Sequence, residues 1–370
     1  MMARRARLQS VIAMQAASAG NDPLEVRDVR AYPLREPGSG RRYTALKLTA
    51  RSGMVGWGEC GDITRREFDA AKQAVVGTPG SAYEIAFRKL AAMPAIRAGI
   101  DMAMLDMLGK AAKAPVYQVL GGPTRAKARA LAPFEGRAAL ERAQAAGFRA
   151  FSIPVPAAPF RNQGKSYMNR IVNLAAMMRN AAAPGTDFVL DGRAALTPGD
   201  AQSVAAELES MHFLWFDEPS PSLNTGALKK ITAETVMPLG LGRSLADAAG
   251  FQDLLGSDAV DILRPNLALH GISHCRRIAA IAEVYYVAVA PYHDGGPIAT
   301  AAALHLAASI PNFFIQQIPQ PDAESDREMR KAIAGADVET VRDGFAALPT
   351  GPGLGIAVDE RALERYKEAA

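Results

Sequence analysis

Residues that carry soft-metal and redox chemistry are scarce in this chain: it has two cysteines and five histidines in 370 positions. Cys60 and Cys275 lack metal or redox spacing and form no disulfide framework, so both read as small buried apolar residues. His212, His270, His274 and His305 fall on or beside regular elements without zinc-ligand spacing and read as structural. No run of about 20 apolar residues occurs, so no membrane-spanning helix is expected. Excess charge of one sign is also missing, with 42 Lys and Arg against 38 Asp and Glu. The basic residues are scattered and form no stripe, which argues against a nucleic-acid partner. The segment "GLGRS" lacks the lysine and third glycine of a phosphate loop, and no nucleophile elbow is present.

What is there is apolar and periodic. Hydrophobic residues make up 49% of the chain, enough for a large core, and the length suits a barrel with a smaller domain. Residues 1–23 have a basic start with Arg4-Arg5, a short apolar stretch and Ala17-Ser18-Ala19. They read as a flexible leader in a cytoplasmic protein; the alternative is a weak export signal to the periplasm. From Leu24, "LEVRDVRAYPL" and "YTALKLTA" alternate as antiparallel strands around the Gly/Pro-rich "REPGSGRR", which reads as a mobile loop. "AYEIAFRKLAAM" and "AIRAGIDMAMLDMLGKAAKAPVYQVLGG" follow with helical spacing and complete an α+β domain over 24–125. Strand–helix alternation then runs over 126–320. The segment 321–370 is read as irregular chain packing back on the first domain.

Within the alternating part, Asp191, Asp217, Arg243, Asn266, Tyr292 and Gln317 recur at steps of 23 to 26 residues, each after a short apolar run. A strand, a helix and two loops sum to about that length. Such units place these side chains together at the C-terminal mouth of a parallel barrel, where barrel enzymes build their sites.

The motifs "GWGEC" (Gly56–Cys60), "GIDMAMLDMLGKAAKAPVYQVLGG" (Gly99–Gly122), "LDGRAALTPGDA", "WFDEPSP", "AAALHLAASIPNFFIQQ" and "GPGLGIAVDE" occur in consistent order. With them the chain resembles the mandelate racemase and muconate lactonizing enzyme branch of the enolase superfamily, in particular its acid-sugar dehydratases. The resemblance implies an α/β fold, a modified TIM barrel of (β/α)7β type with an N-terminal α+β capping domain. It also implies a chemistry in which a proton is removed α to a carboxylate. A magnesium ion held by three carboxylates neutralises the resulting enediolate, while second-strand lysines or a His–Asp pair move protons.

Set on this sequence, the resemblance puts the first two ligand positions at Asp191 and Asp217, with Glu218 beside the second. The third falls on Arg243, a cation where a ligand belongs. The lysine positions fall on Ser152 and Pro154, the dyad aspartate on Asn266, the dyad histidine on Tyr292 and the eighth-strand acid on Gln317. Arg193 takes the place of an asparagine.

Three arrangements are open for the pocket. Arg243 pairs with Asp191 and Asp217; or Arg243 serves as a fixed electrophile for a substrate carboxylate or enolate; or a metal is held through Asp191, Asp217, Glu218 and water with Arg243 swung away. His293, oriented by Asp294, is the expected acid/base, reached by a one-residue loop shift. Tyr292 is a second proton donor. Ser152, Arg193, Arg264, Asn266 and Gln317 are expected to contact a small anionic ligand. Function stays open among a diverged lyase or isomerase without the usual metal, a non-catalytic anion-binding or partner protein, and a magnesium-dependent acid-sugar dehydratase. A homo-oligomer is expected.

Overall fold

The computed structural model describes residues 22–157, 164–221, 224–233, 235–335 and 338–368; the expected leader lies, up to residue 21, outside them. Strands β1 (Val26–Arg35), β2 (Arg42–Ala50) and β3 (Val55–Cys60) form an antiparallel sheet in chain order. Helices α1 (Arg65–Val75), α2 (Tyr83–Lys89), α3 (Pro94–Ala111) and α4 (Val116–Val119) follow. The first begins at a reciprocal capping box between Thr64 and Glu67, which satisfies two otherwise orphaned amides.

Helix α3 is buried almost all round, which explains its mostly apolar sequence. The "GWGEC" motif lets it come that close. A Cβ on Gly56 would lie 2.1 Å from the Ala103 carbonyl, and one on Gly58 would lie 1.9 Å from that of Gly99. Only glycine fits strand against helix at that distance.

The barrel runs β4 (Lys127–Pro133), α5 (Gly136–Ala145), β5 (Ala150–Pro154), α6 (Lys165–Ala181), β6 (Asp187–Asp191), α7 (Pro198–Leu208) and β7 (Phe216–Asp217). It continues with α8 (Thr225–Thr232), β8 (Leu239–Leu241), α9 (Ala248–Gly256), β9 (Ile262–Leu263), α10 (Leu267–Val284), β10 (Ala288–Val289), α11 (Pro297–Ser309) and β11 (Gln316–Gln317). Neighbouring strands pair in parallel from β4 to β10. The ring closes through the β11–β4 pairing and the Val289–Phe313 bridge.

This is the expected (β/α)7β barrel with its capping domain. Leu131, Ala150, Val189, Trp215, Ile262, Ala290 and Ile315 fill the interior. A larger apolar layer joins strands to surrounding helices, as strands covered on both faces require. Asp191, Asp217 and Gln317 stand two residues beyond Val189, Trp215 and Ile315, so strand alternation points them into the barrel one level higher. Among the described residues, no helix is long and apolar enough to cross a membrane.

The tail consists of α12 (Glu324–Ala334), β12 (Val341–Arg342), β13 (Phe345–Ala347) and α13 (Glu360–Tyr366). It divides its contacts, which corrects the expectation that all of it returns to the cap. Helix α13 does lie on β1, with a Leu34–Lys367 bridge and a Tyr32–Glu360 hydrogen bond of 3.2 Å. The β12–β13 hairpin instead pairs antiparallel with barrel strand β4. The "GPGLG" stretch is tied to the cap through Asp106, which accepts from the amides of Leu354 and Trp57 at 2.7 and 2.8 Å.

Candidate active site at the barrel mouth

Parallel register sets the level of the site. Asp191 pairs with Pro154 on one side and Asp217 on the other, and Asp217 pairs with Gly240. Above them is a cavity of about 750 Å³, within the range that takes a small organic ligand. Ser152, Asp191, Arg193, Glu218, Arg243, Tyr292 and Gln317 line it, so the structure gathers seven of the expected residues. Asp217 is wholly buried beneath.

Arg243 organises the floor. Its guanidinium donates to Asp191 Oδ2 at 3.1 Å, lies 3.1 Å from Asp191 Oδ1, and contacts Asp217 Oδ2. Burying two carboxylates without a countercharge is costly, and a planar fork of donors satisfies both at once. Gly240 leaves the room: a Cβ there would lie 2.3 Å from the Trp215 ring and 3.0 Å from Asp217 Oδ1. Of the three arrangements left open by the sequence, the side chains adopt the one with Arg243 bridging both acids.

Glu218 is held in a left-handed conformation, φ 42°. Its Oε1 accepts from the amides of Gly242 and Arg243 at 2.7 and 2.8 Å. Burial pushes its carboxyl up, partly opposed by those hydrogen bonds. The donor set therefore does not fit magnesium. Asp191 and Asp217 face a guanidinium, Glu218 turns its Oε1 to backbone amides, and among the described residues no group of three or more His, Cys, Asp or Glu is arranged to hold an ion. A hard cation needs several free oxygen donors converging on one point.

Three expected residues are placed differently. Arg264 is not on the rim but fully buried in the barrel. It sits two residues beyond interior Ile262, and its Nε lies 3.1 Å from Asp217 Oδ1. Neither atom of that contact has a hydrogen-bond partner, so it is an ion pair without hydrogen-bond alignment. Burial, then the charge of Arg243, brings its guanidinium down to about 9.

Asn266 does not reach the cavity lining. It caps α10, accepting from the Ala268 amide at 3.0 Å. Side-chain capping of this kind is what asparagine commonly does at a helix start.

His293, the expected acid/base, is fully buried and does not line the cavity, whereas its neighbours Tyr292 and Asp294 do. The expected loop shift does not occur because Tyr292 is locked in register with β9. Tyr292 accepts from the Leu267 amide at 2.8 Å and donates its own to the Pro265 carbonyl at 3.0 Å. Burial, with Arg330 and Arg41 nearby, takes the His293 imidazole down to about 3, and neither ring nitrogen finds a hydrogen-bond partner. It stays neutral and shielded at neutral pH.

Tyr292 packs its ring against both cations, 4.8 Å from the Arg243 guanidinium and 5.7 Å from that of Arg264. Burial first, then Asp294, pushes its phenol up to about 12, so it is a hydrogen-bond donor at neutral pH.

The cap supplies the rest of the wall. The loop between β1 and β2, read as mobile, is pinned: the amides of Gly38 and Ser39 donate to Asp326 at 2.6 and 2.8 Å. Arg41 donates to the Asp294 carbonyl at 3.0 Å, drawing Glu36, Ser39 and Arg41 to the cavity. The roles of Glu36 and Ser39 escaped sequence reasoning because their anchor, Asp326, is nearly 300 residues away. Arg193 reaches the opposite wall and pairs with Glu135.

The same architecture recurs in known proteins. Residues 36–121 match the mandelate racemase/muconate lactonizing enzyme N-terminal domain, and residues 135–362 match the enolase C-terminal domain-like model. The chain is 30% identical to the D-galactonate dehydratase of Ralstonia pickettii, over 89% of this chain and 92% of that one. It is 29% identical to a D-galactonate dehydratase family member of Streptomyces bingchenggensis, over 88% and 90% respectively. A mandelate racemase/muconate lactonizing enzyme-like protein from Roseovarius sp. TM1035 superposes with a TM-score of 0.82 at 26% identity, covering 94% of this chain and 96% of that one. With both of its domains matched, the chain belongs to the mandelate racemase/muconate lactonizing enzyme family of the enolase superfamily.

Proposed function

We propose that this protein takes a sugar acid at the barrel mouth and acts on it as a lyase of the acid-sugar dehydratase kind, with the Arg243 guanidinium in the place of a cation. The observation that carries the reading is the bridge from Arg243 to Asp191 and Asp217 at the floor of the cavity. Relatives named D-galactonate dehydratase and D-xylonate dehydratase supply the substrate class.

In such a reaction the proton on C2 goes to a base and its electrons enter the carboxylate as an enediolate. The C3 hydroxyl then leaves with a proton as water, and the enol becomes a 2-keto-3-deoxy acid. A fixed guanidinium stabilises the enediolate through charge-assisted hydrogen bonds. Tyr292 donates to the leaving oxygen. To Asp294, which lines the cavity and whose charge bears on Tyr292, we assign the acceptance of the C2 proton.

Calorimetric titration of magnesium, combined with deuterium exchange at C2 of galactonate and xylonate, tests this. We expect no micromolar magnesium binding by the wild type, and exchange into a sugar acid that chelator does not abolish. Micromolar binding by the wild type, with exchange that requires the ion, would overturn the reading. One observation favours a second reading, binding without turnover: the lysine positions hold Ser152 and Pro154, and His293 is turned away. In that case a sugar acid raises the melting temperature and no exchange occurs.

A further inference from the structure

Arg243 brings one positive charge, whereas the divalent ion it stands in for brings two. The second charge lies deeper in the barrel. Arg264 follows Ile262 by two residues, so strand alternation sends its guanidinium inward. There its Nε is 3.1 Å from Asp217 Oδ1, while Arg243 holds Asp217 Oδ2. Its Nη1 donates to the Ala290 carbonyl at 2.8 Å and its Nη2 to Gln317 Oε1 at 3.1 Å. Tyr292 spreads its ring against both guanidiniums.

The two carboxylates at the first and second ligand positions thus meet two cations, one beside the cavity and one underneath. Among the described residues, Asp217 is the one carboxylate within ion-pair distance of Arg264. A buried arginine with a single shared acid is a poor way to stabilise a barrel. Its position makes sense if the charge itself is needed there.

We propose that Arg243 and Arg264 together form a built-in dication that replaces a divalent ion charge for charge at Asp191 and Asp217. Arg264 is a positioning residue in this scheme: it holds Asp217 for Arg243 and Gln317 for the cavity without touching the ligand. The proposal rests on the reading of Arg243 given above and extends it. It means that metal binding is excluded twice. Changing Arg243 to an acid recreates three carboxylates but leaves a buried cation 3.1 Å from one of them, and repulsion between like charges at this depth is weakly screened.

Mn²⁺ binding, followed by electron paramagnetic resonance and calorimetry, distinguishes the possibilities in the wild type, Arg243→Glu, Arg264→Gln and the double variant, each checked for folding by thermal melting. Gln at 264 keeps an amide donor for Ala290. We expect no binding by the wild type or Arg264→Gln, micromolar binding by the double variant, and binding at least about 100-fold weaker by Arg243→Glu alone. Equal binding by Arg243→Glu and the double variant overturns the dication while leaving the reading of Arg243 intact, as does a folded double variant that binds nothing. Tight binding by the wild type overturns both. Should the double variant not fold, a stability cycle of Asp217→Asn and Arg264→Gln decides. Non-additive losses, with the pair costing less than the sum, support the charge pairing, and additive losses overturn it.

Discussion

Two buried arginines in this molecule face opposite circumstances. Arg264, inside the barrel, shares one carboxylate with a second guanidinium, and burial together with Arg243 lowers it to about 9. Arg330, on α12, is just as buried, yet two carboxylates surround it. It donates to Glu36 at 2.6 Å, to both oxygens of Glu339 at 2.6 and 2.8 Å, and to the Gly295 carbonyl at 2.8 Å. Burial pulls it down too, but Glu339, Tyr43 and Glu36 outweigh that and hold it well above its usual value. The clamp at Arg330 ties the cap loop, the tail and the mouth together with its donors used. The cation at Arg264, beneath the cavity, has a single shared carboxylate and an Nε without a hydrogen-bond partner. The difference separates a charge kept for the fold from one kept for the site.

The largest expected effect tests the fold half of that contrast. Arg330→Met leaves the fully buried Glu36 and the mostly buried Glu339 without their cation, and breaking such a pair costs about 3–5 kcal/mol. Arg264→Gln leaves Asp217 still paired with Arg243 and keeps a donor for the Ala290 carbonyl, so its cost should be nearer about 1–2 kcal/mol. Urea denaturation of both variants gives the comparison directly. If Arg264→Gln unfolds as readily as Arg330→Met, the two arginines do the same job and the distinction fails.

The next test sharpens it by asking what Arg330 leaves unpaired. Glu59, from the "GWGEC" motif, is fully buried and accepts from the amides of Gly296 and, at 3.3 Å, Ala299 at the start of α11. Burial pushes its carboxyl up from 4.5 to about 7; those amides and Arg330 oppose the rise without cancelling it. Arg330 is already engaged by Glu36 and Glu339, so little of its charge is left for Glu59. The folded value lies above the unfolded one. The stability contributed by Glu59 is therefore complete below pH 4.5 and is lost as pH rises through 7, by roughly 3 kcal/mol at most. Glu59→Gln cannot ionise. Denaturation at pH 5 and pH 8 should show the variant gaining on the wild type at the higher pH; parallel behaviour at both would mean that the carboxylate is well matched after all.

The barrel was legible because parallel strands, covered on both faces, must be apolar and must recur at one strand–helix step. That step also found Asp191, Asp217, Arg243, Tyr292 and Gln317, since each ends or closely follows a strand. Depth was not legible. In "VDILRPN" the spacing picks Asn266, but the chain turns into α10 there and Asn266 caps it. The inward rung is Arg264, which a period of two counted from Ile262 would have found. His293 failed for the related reason that adjacent residues face opposite ways once Tyr292 is in register. The β12–β13 hairpin carried a signal that was passed over: Asp343-Gly344, both at positive φ, is a strong short-range hairpin dipeptide. The anchoring of the cap loop by Asp326 and Arg330 could not be read, because nothing local joins residues so far apart in sequence.

The smallest expected effect sets a baseline for both buried arginines. Arg193 lines the cavity and pairs with Glu135, but both side chains are about half exposed or more, at 49% and 70%. Water already solvates each partner, salt screens the attraction, and two long side chains must be ordered to make the contact. Arg193→Gln should therefore change stability by about 0.5 kcal/mol or less, and raising the salt should shrink even that. On the proposed function its guanidinium is one of the cations a sugar acid meets on entry, so affinity for galactonate should fall more than stability does. A large loss of stability in Arg193→Gln would mean that the rim, like the Arg330 clamp, is part of what holds the cap to the barrel. The line between charges for the fold and charges for the site would then have to be drawn further out.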